Sequence, residues 1–256
     1  MKLEAITKCI EAFAPLETQA EWDNSGVQIF TGKTEIKSVL VALDVTRDVV
    51  NEAIEKDIDL IVTHHPLMFR PVKSIKLTDK PQEYIINLIK NDTNVYSSHT
   101  PFDVAKKGNN YYFLEKLGLK DIKSVDEYVR IGRFERAVKL SDLAKKIAKV
   151  SKQEGLVKVQ GNPDAKIKTV GICTGSGGDL FEVAAANGAD AYISGDIKHS
   201  DALKAKDCGI CLIDAGHFGT ENCFIDNMYD YLSAKLGKKV KLYKTETNQN
   251  PFDFSI

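Results

Sequence analysis

Long apolar runs are missing from this chain of 256 residues. No window approaches the roughly 18 consecutive apolar residues of a membrane-spanning helix, and the first residues, MKLEAITKCIEAF, have no apolar signal core. A membrane partner is therefore not expected. Charge imbalance is missing too: Lys plus Arg (35) nearly cancels Asp plus Glu (36). Without a strong basic field, a nucleic-acid partner is not indicated. Disulfide-framework spacing is also absent. Five cysteines, an odd number, point to reduced thiols and a cytoplasmic location. Cys208 and Cys211 form one CxxC, but no second pair accompanies it. With strand formers following in CLID, this pair reads as buried strand thiols. No low-complexity linker divides the chain. The apolar fraction of 43% and charged fraction of 28% are those of an ordinary globular protein with ample core.

What is present is a pattern that occurs twice. VLVALDVTRDVVNEAIEKDIDLIVTHH from Val39 reads as strand, loop, helix, strand, and so does VGICTGSGGDLFEVAAANGADAYISGD from Val170. Superimposed without a gap, they bring Asp48 onto Asp179, Ala53 onto Ala184, Asp59 onto Asp190 and Thr63 onto Ser194. Each continues into a third strand, NVYSSHTPFD and GICLIDAGHFG, and then a helix ending in Leu-Gly. Alternating strands and helices with apolar strands predict an α/β fold with mainly parallel sheets covered on both faces. The expectation is two similar α/β halves from an internal duplication, residues 1–125 and 126–256, packed tightly, with the C-terminal segment returning to the first half. Leu3, Ile6, Ile10 and Phe13 mark an opening helix closed by Pro15. Leu140, Leu143, Ile147 and Val150 mark another, flanked by strands, with Ser141 as its cap.

The five histidines all fall in motifs at strand ends: His64 and His65 in THHP, His99 in SSHTPFD, His199 in GDIKHSD and His217 in DAGHFGTE. In parallel sheets, ligands gather beyond the carboxyl ends of the strands. Imidazole combined with carboxylate suits a divalent transition metal, with Zn, Fe and Mn as candidates. Asp103 follows His99 by four residues. Glu221 follows His217 by four, so a helix starting there puts both on one face. Adjacent strand residues point to opposite faces, so His64 and His65 serve one region only where the backbone leaves the pleat, as at Pro66. Two ions bridged by a carboxylate would use both. The alternative is a turn with one buried, hydrogen-bonded histidine and one exposed.

In this order, WDNSGVQ, THHPLMF, SSHTPFD, GSGGDL, SGDIKHSDA and DAGHFGTE resemble the motifs of the Nif-three-like family, whose members are often labelled GTP cyclohydrolase type-two homologues. The similarity runs essentially from end to end, and GRF at Gly132 resembles the family's central region in its short form without an inserted domain. The resemblance implies a dinuclear metal site in the cleft between two α/β halves, with two divalent ions per subunit, and a toroidal homohexamer. Carried over residue by residue, the ligands are His64, His65, Asp103, His217 and Glu221, with Asp103 and Glu221 bridging. His99, the remaining site histidine, becomes the candidate general acid or base. This chain departs from the family's GDxKYHDA: His199 stands where the aromatic belongs and Ser200 where the histidine belongs. His199 is therefore expected in a supporting or structural role.

Two further motifs admit two readings each. Gly175, Ser176, Gly177 and Gly178 lie between a strand and a helix start, where exposed amides could hold a phosphate or where glycine simply allows a tight turn. They lack the lysine of a P-loop. Trp22, the only tryptophan, reads as a core anchor rather than a substrate contact, and Asp23 to Gly26 as a turn. Three functions remain open: a metal-dependent hydrolase acting on a nucleotide-like or heterocyclic small molecule, a metal-dependent phosphoesterase, and a metal-binding regulatory or chaperone-like assembly without turnover. The label borne by the family specifies conversion of GTP to dihydroneopterin triphosphate and formate.

Overall fold

Four short apolar strands, Ser38–Ala42, Leu60–Thr63, Asn94–Ser97 and Ala191–Ser194, are buried along their whole length and sit among helices that have one apolar face. The computed structural model describes residues 1–252. In chain order the first elements are helix α1 (Leu3–Glu11), strands β1 (Gly26–Ile29) and β2 (Ser38–Ala42), helix α2 (Arg47–Glu55), strand β3 (Leu60–Thr63), helix α3 (Gln82–Lys90), strand β4 (Asn94–Ser97) and helices α4 (Thr100–Val104) and α5 (Asn109–Lys116). Then come strands β5 (Lys120–Ser124) and β6 (Arg130–Lys139), helix α6 (Leu140–Ser151), strands β7 (Lys158–Gln160) and β8 (Lys166–Ile172), helix α7 (Phe181–Ala186) and strand β9 (Ala191–Ser194). Helix α8 (His199–Cys208), strand β10 (Cys211–Asp214), helices α9 (His217–Glu221) and α10 (Cys223–Leu236) and strand β11 (Lys241–Lys244) complete the set.

Two units result: Met1–Ala105 with Phe224–Gln249, and Lys106–Cys223 with residues 250–252. The first has a five-stranded sheet in the order β1-β4-β3-β2-β11, parallel except for β1. On one face Leu40, Ala42, Ile61 and Val95 pack with Val49, Val50 and Ala53 of α2 and with Ile85 and Leu88 of α3. On the other, buried Tyr96 donates to Glu11 of α1, and Tyr231 of α10 donates to the Cys9 carbonyl of the same helix.

The second unit has a six-stranded sheet in the order β5-β6-β8-β9-β10-β7. Here the expectation of a mainly parallel sheet needs correction. Only β8·β9 and β9·β10 are parallel, and the other three pairings are antiparallel. For β5 and β6 the cause is connection length: they are joined by a short turn, which permits only antiparallel pairing. One face carries α5 and α6 through Phe113, Leu114, Leu143 and Ile147; the other carries α7 and α8 through Phe181, Ala184 and Ala205. Ser141 is not the cap of α6. Lys139 occupies that position, and the amides of Leu140 and Ser141 donate instead to the carbonyls of Ala165 and Pro163. Cys208 and Cys211 are not buried strand thiols either. Cys208 ends α8 exposed, because the helix runs through it to Gly209, and Cys211 begins β10 half-buried.

One device recurs in both units. Asp59, just before β3, accepts from the amides of Lys37 and Ser38 as β2 begins, and its carbonyl accepts from the Asn94 amide. Asp190, just before β9, accepts from the amides of Lys168 and Thr169 in β8, and its carbonyl accepts from Cys211. In each unit an aspartate carboxylate, buried at Asp59 and half-buried at Asp190, thus fixes how neighbouring parallel strands are aligned, and so which residues arrive at their far ends. Among the described residues no helix is long and apolar enough to cross a membrane.

Burial alone would raise the pKa of Asp59. The Lys33 ammonium and the two strand amides more than offset it and hold the carboxyl below its ordinary value. Asp59→Ala leaves two buried amides without their acceptor and should cost about 1–3 kcal/mol. Because the folded-state pKa is depressed, that contribution is present above the unfolded pKa of about 4 and fades as pH falls through the folded value. Thermal unfolding of wild type and variant should show a clear gap at neutral pH that narrows in acid. A gap that widens in acid would refute the assignment.

Candidate metal centre

A strand running straight on from β3 would send His64 and His65 to opposite faces. Instead, the amides of both donate to one carbonyl, that of Leu43, at 3.2 and 3.1 Å. The His65 carbonyl accepts from the hydroxyls of Thr63 and Ser97. The chain is thereby bent out of the pleat, and the two rings lie on the same side with centroids 4.9 Å apart. His99 ends the segment after β4 as the residue preceding α4. Its ring centroid is 5.1 Å from that of His64 and 5.4 Å from that of His65. One ring nitrogen from each of these three histidines lies within 4.8 Å of the others, a grouping that could hold a metal ion. Phe224 lies against the buried His64 ring, at 5.1 Å, and Phe102 against Phe224.

Each imidazole is held by its Nδ1. His64 Nδ1 is 3.0 Å from the Ser98 carbonyl, His65 Nδ1 is 2.8 Å from Asp44 and His99 Nδ1 is 2.8 Å from Asp23. A carbonyl or carboxylate can only accept, so Nδ1 carries the proton and Nε2 is left as the basic atom facing the cluster. This is the arrangement by which metal-ligating histidines are oriented and made more basic. Asp103 is one helical turn beyond His99, and its carboxylate is 3.6 Å from His64 Nε2.

In the second unit, α9 begins at His217, as the four-residue spacing to Glu221 required, and His217 Nε2 is 2.9 Å from the Glu221 carboxylate. His217 Nδ1 is again held, by Asp196 just beyond β9 at 2.8 Å. Glu221 is buried. Space for its carboxylate exists because residue 175 is glycine: a Cβ there would lie 2.1 Å from Glu221 Oε1, and the backbone has a φ of +71°. The Gly175 amide donates to Thr220 and that of Gly177 to Ser194. The glycine run therefore makes a tight turn beneath Glu221, and these two amides hold it. Ser176 is exposed and Gly178 buried. His199 is the first residue of α8, exposed, and is in none of the described groups with metal-ligand spacing.

Asp23, Asp44 and Asp196 were missed in the sequence. Their signal was available: WDN precedes β1, and ALD and SGD each place an aspartate just beyond the carboxyl end of a parallel strand. Asp23 is the most committed. Burial raises its pKa, but hydrogen bonds from His99, Thr100 and Ser25 and the charge of His99 hold it well below the ordinary carboxylate range. Trp22 is not the core anchor expected of it. It is 61% exposed, because the turn around Asp23 directs the neighbouring indole outward, where its ring meets Phe69 and His99 edge-on.

Known proteins resemble this chain over its full length. The GTP cyclohydrolase 1 type 2 homolog of Clostridium acetobutylicum is 32% identical, with 99% of each chain covered. That of Streptococcus pneumoniae is 35% identical, with 98% of this chain and 99% of the relative covered. The crystal structure of a hypothetical protein from Staphylococcus aureus superposes with a TM-score of 0.93 at 28% identity, covering 100% and 99% of the two chains. The family model described as Duf34/NIF3 (NGG1p interacting factor 3) matches residues 1–251. The chain belongs to that family.

Proposed function

We propose that the protein is a metal-dependent hydrolase acting on a nucleotide-like or heterocyclic small molecule. The observation that carries this reading is the common tether: His64, His65 and His217 each have Nδ1 engaged by an oxygen acceptor, which leaves Nε2 as the atom that would bind a cation. The donor set fits a borderline divalent metal such as Zn, Fe or Mn, since nitrogen and carboxylate oxygen are present and thiolate is not. In this reading His64, His65, Asp103, His217 and Glu221 hold two divalent ions per chain, with Asp103 and Glu221 as bridges, and the two α/β halves are a duplication. The recurring Asp59 and Asp190 device and the order of β2-β3-β4 and β8-β9-β10 support the duplication.

Two such ions, when bound, supply electrophilic activation of water near neutral pH and stabilise the charge that develops on the substrate. Five side chains are too few to close the coordination of two ions, so positions remain for exchange, which favours turnover over a purely structural role. His99 is the general acid or base. Asp23 fixes its tautomer and stabilises the imidazolium formed when Nε2 accepts a proton. The relatives' name, GTP cyclohydrolase 1 type 2 homolog, supplies GTP as the first substrate to test.

The wild-type chain purified without chelators should contain up to two divalent ions per chain by elemental analysis. Asp103→Ala removes a bridging charge, leaving two cations to repel each other, and should lose at least one ion together with any hydrolysis. Retention of both would refute the bridging role. His99→Ala should keep both ions and slow turnover by about 10²–10⁴-fold; loss of metal equal to that of Asp103→Ala would make His99 a ligand instead. We also propose a homohexamer, for which light scattering at micromolar concentration should give six times the chain mass, a monomer being the contrary result. Turnover absent from the metal-loaded wild type with GTP, other nucleotides and simple phosphoesters would leave the protein a metal-binding regulator.

A further inference from the structure

Exposed tryptophan is costly in apolar surface left wet, and here it is held in place by unusually complete local bonding. Asp23, the next residue, accepts from the amide and hydroxyl of Thr100, from the Ser25 hydroxyl and from the Asn24 amide. Phe69, which is 47% exposed, is fixed from the same turn. Asn24 Nδ2 donates to the Met68 carbonyl at 2.9 Å, and the Met68 amide donates to buried Gln28. The two rings stand at 67° to each other with centroids 6.0 Å apart, and each has its centroid within 6.0 Å of that of His99. The result is an open aromatic corner with a metal-site histidine at its base. Beyond it, the loop after His65 carries Arg70, Lys73, Lys76 and Lys80 against the single acid Asp79. That loop lines an open cavity of about 450 Å³ whose wall includes Phe69, Arg70, Val72 and Lys73, within the size range of small-molecule sites.

We infer that Trp22 and Phe69 form the ring-binding subsite of this centre, taking a planar heterocycle by stacking, and that Arg70 and Lys73 take the anionic chain attached to it. This inference rests on the reading of the histidine cluster as a metal centre that acts on a bound small molecule. Stacking suits either aromatic face and is tolerant of ring identity. Guanidinium and ammonium groups suit phosphate. Together the two features select a nucleotide over a free base or a bare polyphosphate.

Because Trp22 is the sole tryptophan, its fluorescence reports on this corner alone. On the full chain purified without chelators, guanosine and GTP should both quench it, whereas tripolyphosphate should not. Phe69→Ala should raise the dissociation constant for both by about tenfold or more, the scale of losing one stacked ring. Calorimetry on Trp22→Ala should give a similar loss, with metal content unchanged in both variants. Arg70→Ala with Lys73→Ala should weaken GTP and leave guanosine unaffected. Absence of quenching by either ligand, or affinities unmoved by Trp22→Ala and Phe69→Ala, would overturn the inference. A Trp22→Ala variant that changes the sedimentation coefficient but not the affinity would assign the corner to a subunit contact instead. The two readings separate cleanly: turnover with a KM indifferent to Trp22 removes the subsite and leaves the hydrolase, while saturable quenching without turnover on any divalent metal removes the hydrolase and leaves the subsite.

Discussion

An imidazole ring is fixed only when something takes hold of one of its nitrogens. In His64, His65, His99 and His217 the Nδ1 atom is held by an oxygen that can only accept. The local architecture follows from that requirement. Ser98, Asp44 and Asp23 must lie where β4, β2 and the turn before β1 deliver them, and Asp196 must lie just past β9. The carboxylates of Asp59 and Asp190 set the alignment of the strands, and over strands this short an error at the start is carried undiminished to the end. Register at one edge of each sheet is thus converted into ring orientation at the other.

Much of this was legible because periodicity and strand-end position are local properties. The βαβ segments beginning at Val39 and Val170 are found as β2-α2-β3 and β8-α7-β9, and the spacing from His217 to Glu221 gave the start of α9. Less visible were features that depend on which chain segment lies alongside. The amides at the start of α6 find carbonyls in the turn before β8, so Ser141 is not needed as a cap. The antiparallel pairings of β6 with β8 and of β7 with β10 join segments separated by whole helices and strands, so hydropathy along the chain does not advertise them. Trp22 misled for a plain reason: indole is usually buried, and nothing in WDNSG alone tells that Asp23 turns inward and thereby turns its neighbour out.

The glycine run after β8 illustrates how one motif can serve a site without touching a ligand. Its sequence suggests amides offered to an anion. In the fold, the amides of Gly175 and Gly177 are taken by Thr220 and Ser194, and what Gly175 offers is the missing side chain that gives the Glu221 carboxylate its place. Gly195 acts similarly, since a Cβ there would meet the His217 backbone at 2.4 Å. Close backbone approach, rather than hydrogen-bond donation, is the resource these positions provide.

The first unit is discontinuous in sequence: its sheet is completed by β11, which pairs in parallel with β2, nearly two hundred residues upstream. During synthesis the SVLVA strand therefore emerges long before its outer neighbour exists. Until the segment carrying β11 leaves the ribosome, that edge presents unpaired amides and carbonyls flanked by apolar side chains, the kind of surface that templates association between chains. The sheet that bears His64 and His65 at its strand ends is thus closed only after the entire second sheet has been synthesised.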